Sequence, residues 1–363
     1  MSFNKIWRWL RPGEYLILVW IAIVSVIYSV YGQWGKFWNE TIDFGPFIIP
    51  FLLTFSFYCV PLIGTLLKKL YASVVFILNP TREELVQDLI RFTEEKKYLT
   101  GTVTFLRDCL PVYLFIIFYP STNLLLETLQ GPRTLDAELV YLDHLIFRVH
   151  LSIWMESFIS RGLTEVMAFF YSLHMILVAF VLCYLYFFAK RELFLEATQG
   201  FMLICMIGLT GYVLVPAVGP TFSLAHLYTR DLSMGFLAQT NYVITESLRV
   251  PRDCFPSLHV GYSALMLVYA WRANKWFGYF LLPLDVGNWI STIYLRYHYA
   301  IDVVAGLVLV PIVYFTVYWW AQKYSFLQPP SADSEPSDLD QRAISYQPQP
   351  INPLEQEGDS VKE

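Results

Sequence analysis

Charge is scarce in this sequence. Asp, Glu, Lys and Arg supply 15% of its 363 residues, where a soluble domain carries nearer a quarter. That excludes an ordinary soluble enzyme, and no nucleic-acid partner is expected. Paired cysteines are lacking too. Cys59, Cys109, Cys183, Cys205 and Cys254 show no paired spacing, so no disulfide framework, zinc site or haem motif is expected. Four of them lie in or beside apolar runs, where a small buried thiol is the plain reading. No internal repeat is visible. No stretch resembles a cleaved signal peptide, because the first apolar run is followed by more. What is present is apolar. The chain is 56% hydrophobic and 18% aromatic, with a mean hydropathy of +0.46. These features describe a polytopic membrane protein. The net charge of -5 is partly set by an acidic tail.

A membrane-crossing helix needs about 20 apolar residues. That rule predicts eight spans, near 15–31, 46–67, 109–126, 164–188, 201–215, 258–271, 276–295 and 299–320. The third is interrupted by Pro111 and Pro120. Residues 68–107 are polar and predict an amphipathic interfacial helix. Residues 135–162 carry apolar positions at helical spacing among acids and arginines, which predicts helices lying on the surface. A polar loop is expected between the fifth and sixth spans. The tail from 325 is rich in Pro, Ser, Gln and acids and predicts disorder. The domain reading is therefore 1–108 for the N-terminal spans and interfacial helix, 109–324 for a membrane-embedded bundle, and 325–363 for a cytoplasmic tail.

With a cytoplasmic N-terminus, the short inside turns hold Lys190 with Arg191 and Arg272 with Lys275, as the positive-inside rule expects. Both chain termini are then cytoplasmic. The ends bearing His259 and His298 face the extracytoplasmic side, and outside arginines cluster near them.

Those two histidines draw the eye to residues 252–302. Ionisable groups beside hydrophobic spans are costly, so a functional reading is the default. His298 and Asp302 are four apart at a helix start and so share one face. The carboxylate can accept the proton on one ring nitrogen and leave the other as an oriented lone pair. That is the logic of a nucleophile and its orienter. His259 follows Pro256 in the first turn of another helix, where free backbone N–H groups attract phosphate. One histidine to attack and one to protonate the leaving oxygen make a phosphoryl-transfer pair. Arg249, Arg252 and Arg296, with Ser257, are the candidate phosphate contacts. The plain alternatives are a helix-stabilising i,i+4 pair and arginines that anchor to headgroups. Two histidines and one aspartate are a weak metal set at this spacing, and no metal or cofactor is expected. His144, His150, His174 and His226 are read as surface or packing residues. Tyr294, Tyr297 and Tyr299 are read as part of an interfacial aromatic belt.

At these residues the sequence resembles the type-2 phosphatidic acid phosphatase superfamily. Pro256-Ser257-Leu258-His259 is similar to its Pro-Ser-Gly-His motif. Ser291 through His298 to Asp302 is similar to its third motif, Ser-Arg, five residues, His, three residues, Asp. Leu258 replaces the motif glycine and Thr292 replaces its arginine. Both departures resemble the inositol phosphorylceramide synthase branch, which uses Pro-Ser-Leu-His and Ser-Thr-x-Tyr-Leu. The first family motif, lysine followed by Arg-Pro, is missing, and the proline-marked stretch 211–220 stands in its place. The resemblance covers about 164–320. It implies a metal-independent six-helix bundle in an all-α integral membrane fold. It also implies His298 as the nucleophile that forms a phosphohistidine, Asp302 as its orienter and His259 as the general acid.

The expected function is a membrane enzyme that cleaves or transfers a lipid phosphoester. Its partners are a phospholipid and a second acceptor. Water as acceptor makes it a lipid phosphatase; a lipid alcohol makes it a headgroup phosphotransferase, moving a group such as inositol phosphate. The rival reading is an inactive scaffold or transporter of the same fold, since proline-broken spans also mark transporter sites.

Overall fold

The computed structural model describes residues 11–35, 108–109, 112–115, 119, 121–248 and 250–323. The second expected span, the interfacial helix at 68–107, Arg249 and the tail lie outside the described residues, as does part of the third span.

The fold is all-α. Its main helices are α1 (Pro12–Val30), α2 (Ser121–Gln130), α3 (Asp136–Phe147), α4 (Arg161–Phe188), α5 (Arg191–Leu214), α6 (Phe236–Leu248), α7 (Leu258–Ala273), α8 (Lys275–Tyr294) and α9 (Ala300–Lys323). Among the described residues the extended pairing is a lone bridge between Ala217 and Asp253.

Local chemistry sets the helix starts. Ser160 caps α4 by accepting the Leu163 N–H. Asn274 caps α8 by accepting from Trp276 and Phe277. Such side chains satisfy donors that a helix N-terminus leaves open. Helix α5 begins at Arg191, ten residues before the expected start of its span. Its polar first turns are paired inside the protein. Glu196 takes Arg272, Gln199 accepts the Gly13 N–H at 2.6 Å, and Asp108 receives both Arg11 and Arg191. Buried polar groups with partners are tolerated in a core, and a hydropathy rule misses them.

Helices α4, α5, α7, α8 and α9 pack on one another, and the first span, α1, packs on α5. The core between them is apolar, with Met202, Ile204, Leu209, Leu265 and Val313 all but closed to solvent. Outward faces are apolar as well: Val26, Ile176, Phe280 and Phe315 are exposed, as lipid-facing residues are. Helices α1, α5 and α9 are long and apolar enough to cross a membrane, and α4 makes a fourth if its two halves, bent by 43°, are one span. The eight-span count is not reached among the described residues. Helix α7 has 16 residues, and α8 carries Asp285 and Asn288 in its buried face.

Two expectations change here. The loop between α5 and α7 contains helix α6, lodged against α4. Its Asn241 donates to the Ala168 carbonyl at 3.3 Å. The tyrosines at the expected belt are also more than anchors. Tyr294 and Tyr299 are buried, bonded to Thr164 at 2.9 Å and Asp136 at 2.8 Å.

Candidate active site

The two histidines arrive on different elements. His259 is the second residue of α7, and Pro256 sits two residues ahead of that helix, not in its first turn. Leu258 and Pro256 seat α7 against glycines of α5. A Cβ on Gly208 would stand 2.3 Å from Leu258 Cδ2, and one on Gly211 would stand 2.3 Å from Pro256 Cδ. The leucine that replaces the motif glycine thus fits because α5 has a glycine opposite.

His298 lies in the turn between α8 and α9, before the helix and not on it. Arg296 ends α8 in the left-handed region, φ 67°, where glycine is usual. The N–H groups of Tyr297 and His298 both return to the Thr292 carbonyl. This turn brings His298 to 3% exposure, with Asp302 fully enclosed.

A continuous row of polar contacts results. His298 Nδ1 stands 3.4 Å from Asp302 Oδ2. His298 Nε2 stands 3.1 Å from His259 Nδ1. His259 Nε2 stands 3.2 Å from the Tyr171 hydroxyl. If Asp302 accepts from His298 Nδ1–H, the His298 Nε2 lone pair points at a proton on His259 Nδ1. The Ser257 N–H meets the Asp302 carbonyl at 3.1 Å, tying the two motif segments together. Gly306 of α9 lies so close to Ser257 that a Cβ would fall 2.5 Å from its carbonyl oxygen.

The remaining expected contacts are spread more widely. Ser257 Oγ is buried with no hydrogen-bond partner. The Arg252 guanidinium donates to the Gly131 carbonyl. Arg296 pairs with Glu156 at 2.8 Å, donates to the Arg230 carbonyl, and lies over the Tyr228 ring. Burial lowers the Arg296 pKa and Glu156 works against that. Thr292, at the position of the motif arginine, is fully buried and bonds the Trp289 carbonyl of its own helix.

Sequence reasoning passed over several neighbours. His174 of α4, taken for a packing residue, meets the His259 ring edge-on at 4.6 Å between centroids. Tyr171, one turn earlier, lies tilted against the Tyr297 ring, 4.6 Å between centroids. A histidine inside an apolar span was the available signal. Cys254, one of the cysteines without paired spacing, was given no role of its own from the sequence. It donates to Asp302 Oδ2 at 3.0 Å and lies 3.6 Å from His298 Nδ1. Burial and the nearby Asp302 push its pKa well up, so it stays a thiol. Asp136 accepts from the N–H groups of Val218 and Gly219, each at 3.0 Å, and so holds the proline-marked stretch beside Tyr299.

Phosphoinositol dihydroceramide synthase of Bacteroides thetaiotaomicron is 28% identical over 144 residues, covering 36% of this chain and 47% of that protein. The alignment therefore spans about half the length of that relative. No solved structure matches the chain. A family match, described as the PAP2 superfamily, runs over residues 138–316. Both histidines and Asp302 fall inside that stretch, and over it this multi-pass integral membrane protein matches the PAP2 superfamily.

Proposed function

We propose that the protein transfers a phosphorylated headgroup, of the inositol phosphate type, from a phospholipid to a lipid hydroxyl through a phosphohistidine. The observation that carries this reading is the row Asp302–His298–His259, with both ring-to-ring and ring-to-carboxylate contacts within 3.4 Å. His298 Nε2 attacks phosphorus. The bond from phosphorus to the glycerol oxygen breaks, and protonated His259 gives its Nδ1 proton to that oxygen, releasing a diacylglycerol. An acceptor hydroxyl then loses its proton to His259 and attacks phosphorus. The N–P bond breaks and His298 recovers its lone pair. Asp302 holds the Nδ1 proton throughout. Water in place of the lipid hydroxyl gives hydrolysis by the same steps. A phosphorus atom between the rings needs them about 2 Å or more further apart than their present contact.

Three features support transfer over plain hydrolysis. Thr292 and Leu258 match the transferase branch, and the curated relative is named as a phosphoinositol dihydroceramide synthase. The expected side is extracytoplasmic, with phosphate contacts from Ser257 and from Arg249, Arg252 and Arg296. To reach the phosphate, Arg252 and Arg296 must leave Gly131 and Glu156.

The test is purified protein incubated with phosphatidylinositol labelled at phosphorus, with and without ceramide. The wild type should trap label on histidine under alkaline quench and pass it to ceramide. His298→Ala should trap none and turn over at least about 1,000-fold more slowly, as nucleophile deletions do. Equal rates in the two proteins overturn the mechanism.

A further inference from the structure

We propose that Cys254, His298 and Asp302 form an inhibitory site for a thiophilic divalent cation such as Zn2+. The metal-binding part stands on geometry alone; the inhibitory part rests on the phosphohistidine reading.

The three side chains come from the loop before α7, the turn after α8 and the first turn of α9. Their ligand atoms all lie within 4.8 Å of one another and all three residues are buried. The separations are 3.0 Å from Sγ to Oδ2, 3.6 Å from Sγ to Nδ1 and 3.4 Å from Nδ1 to Oδ2. A tetrahedral zinc with bonds of about 2.3 Å to sulfur, about 2.05 Å to nitrogen and about 2.0 Å to oxygen sets those edges near about 3.5, 3.5 and 3.3 Å. Two of the three edges are met as they stand, and the third opens by about half an ångström. A second observation points the same way. Asp302 Oδ1 is buried without a hydrogen-bond partner, while Oδ2 is shared by the Cys254 thiol, the Tyr299 N–H and His298. An unsatisfied buried carboxylate oxygen is rare, and a cation held on Oδ2 satisfies it when the carboxylate binds through both oxygens. Thiolate, imidazole and carboxylate together are a zinc donor set, with the fourth position open.

Binding reverses the tautomer that the chemistry needs. The cation takes the lone pair of His298 Nδ1, so the ring proton moves to Nε2. The Cys254 thiol gives its proton to water as sulfur binds the metal. His298 Nε2 then carries a hydrogen and has no lone pair with which to attack phosphorus. Asp302, bound to the cation, no longer holds the Nδ1 proton. His259 lies on the other edge of the His298 ring and is not a ligand.

The experiment uses the full chain in detergent, titrated with Co2+ as a spectroscopic stand-in. The wild type should take up one cobalt and show the near-ultraviolet thiolate-to-cobalt charge-transfer band, which Zn2+ then bleaches. Cys254→Ala and Cys254→Ser should lose the band while Cys59, Cys109, Cys183 and Cys205 remain. Zn2+ should inhibit labelled headgroup transfer by the wild type. Relative to each variant's own metal-free rate, the half-inhibiting concentration should rise at least tenfold. A monodisperse wild type without the band, or a band that survives in both variants, overturns the site. A band without inhibition overturns its inhibitory role. A band in a protein that forms no phosphohistidine leaves the site standing and removes the proposed function instead.

Discussion

Asp302 Oδ2 sits 2.8 Å from the Tyr299 N–H and 3.0 Å from the Cys254 sulfur, as well as facing His298. An aspartate so held cannot swing away, and its geometry fixes which nitrogen of His298 is free. Asp302→Asn keeps the size but can offer an amide N–H to Nδ1. The ring proton then sits on Nε2 and the lone pair is lost, as in a triad whose aspartate becomes asparagine. The expected outcome is a fall in kcat of about 100-fold or more with KM nearly unchanged, and a phosphohistidine that forms more slowly in a rapid-quench experiment. The pair His298–Asp302 was legible in sequence because its spacing is local. The partners Tyr171 and His174 were not, because they approach His259 from a helix more than 80 positions away. Cys254 was beside the motif and still unreadable. A thiol declares its role only when the groups around it are known.

Helix α3 looks like a surface element, and Tyr141 and Ile146 are exposed on it. Its acids point the other way. Asp143 is buried and accepts the Ile301 N–H at 2.8 Å, at the start of α9, where the helix dipole favours a negative group. Burial outweighs that help and raises the Asp143 pKa from 3.8 to about 6, with Asp302 adding to the rise. A folded-state pKa above the unfolded one gives stability that is full below pH 4 and lost as pH rises through 6. Asp143→Asn keeps an acceptor for Ile301 and has nothing to titrate. Its apparent melting temperature should therefore gain on the wild type between pH 5 and pH 7.5, by an amount equivalent to on the order of 1 kcal/mol. A gap that stays constant across that range would show Asp143 titrating at its ordinary value. The periodicity that marked α3 as interfacial says nothing about this, since it separates apolar from polar faces and does not tell a solvated acid from a capping one. The same limit explains α6. Its sequence mixes Gln239, Asn241, Thr245 and Glu246 with apolar residues, and its packing on α4 organises what otherwise reads as a loop.

At the scale of the whole molecule, charge and topology must agree. Lys190 and Arg191 mark the turn from α4 into α5, Arg191 being the first residue of α5, and Arg272 and Lys275 flank the turn from α7 into α8. The histidine row lies at the opposite ends of α7 and α8. If basic turns stay in the cytoplasm, the site opens to the far leaflet and draws its lipids from there. This predicts a labelling pattern. His226, in the connection between α5 and α6, and Lys275 are both exposed. The natural Cys109, Cys205 and Cys254 are buried and should react slowly, and the unsubstituted protein supplies the remaining background. In intact cells a membrane-impermeant maleimide should label His226→Cys and leave Lys275→Cys unlabelled until the membrane is opened. The reverse pattern would turn the site toward the cytoplasm. Headgroup transfer would then have to draw on the inner leaflet, and an impermeant phosphate analogue added outside would no longer be expected to inhibit it.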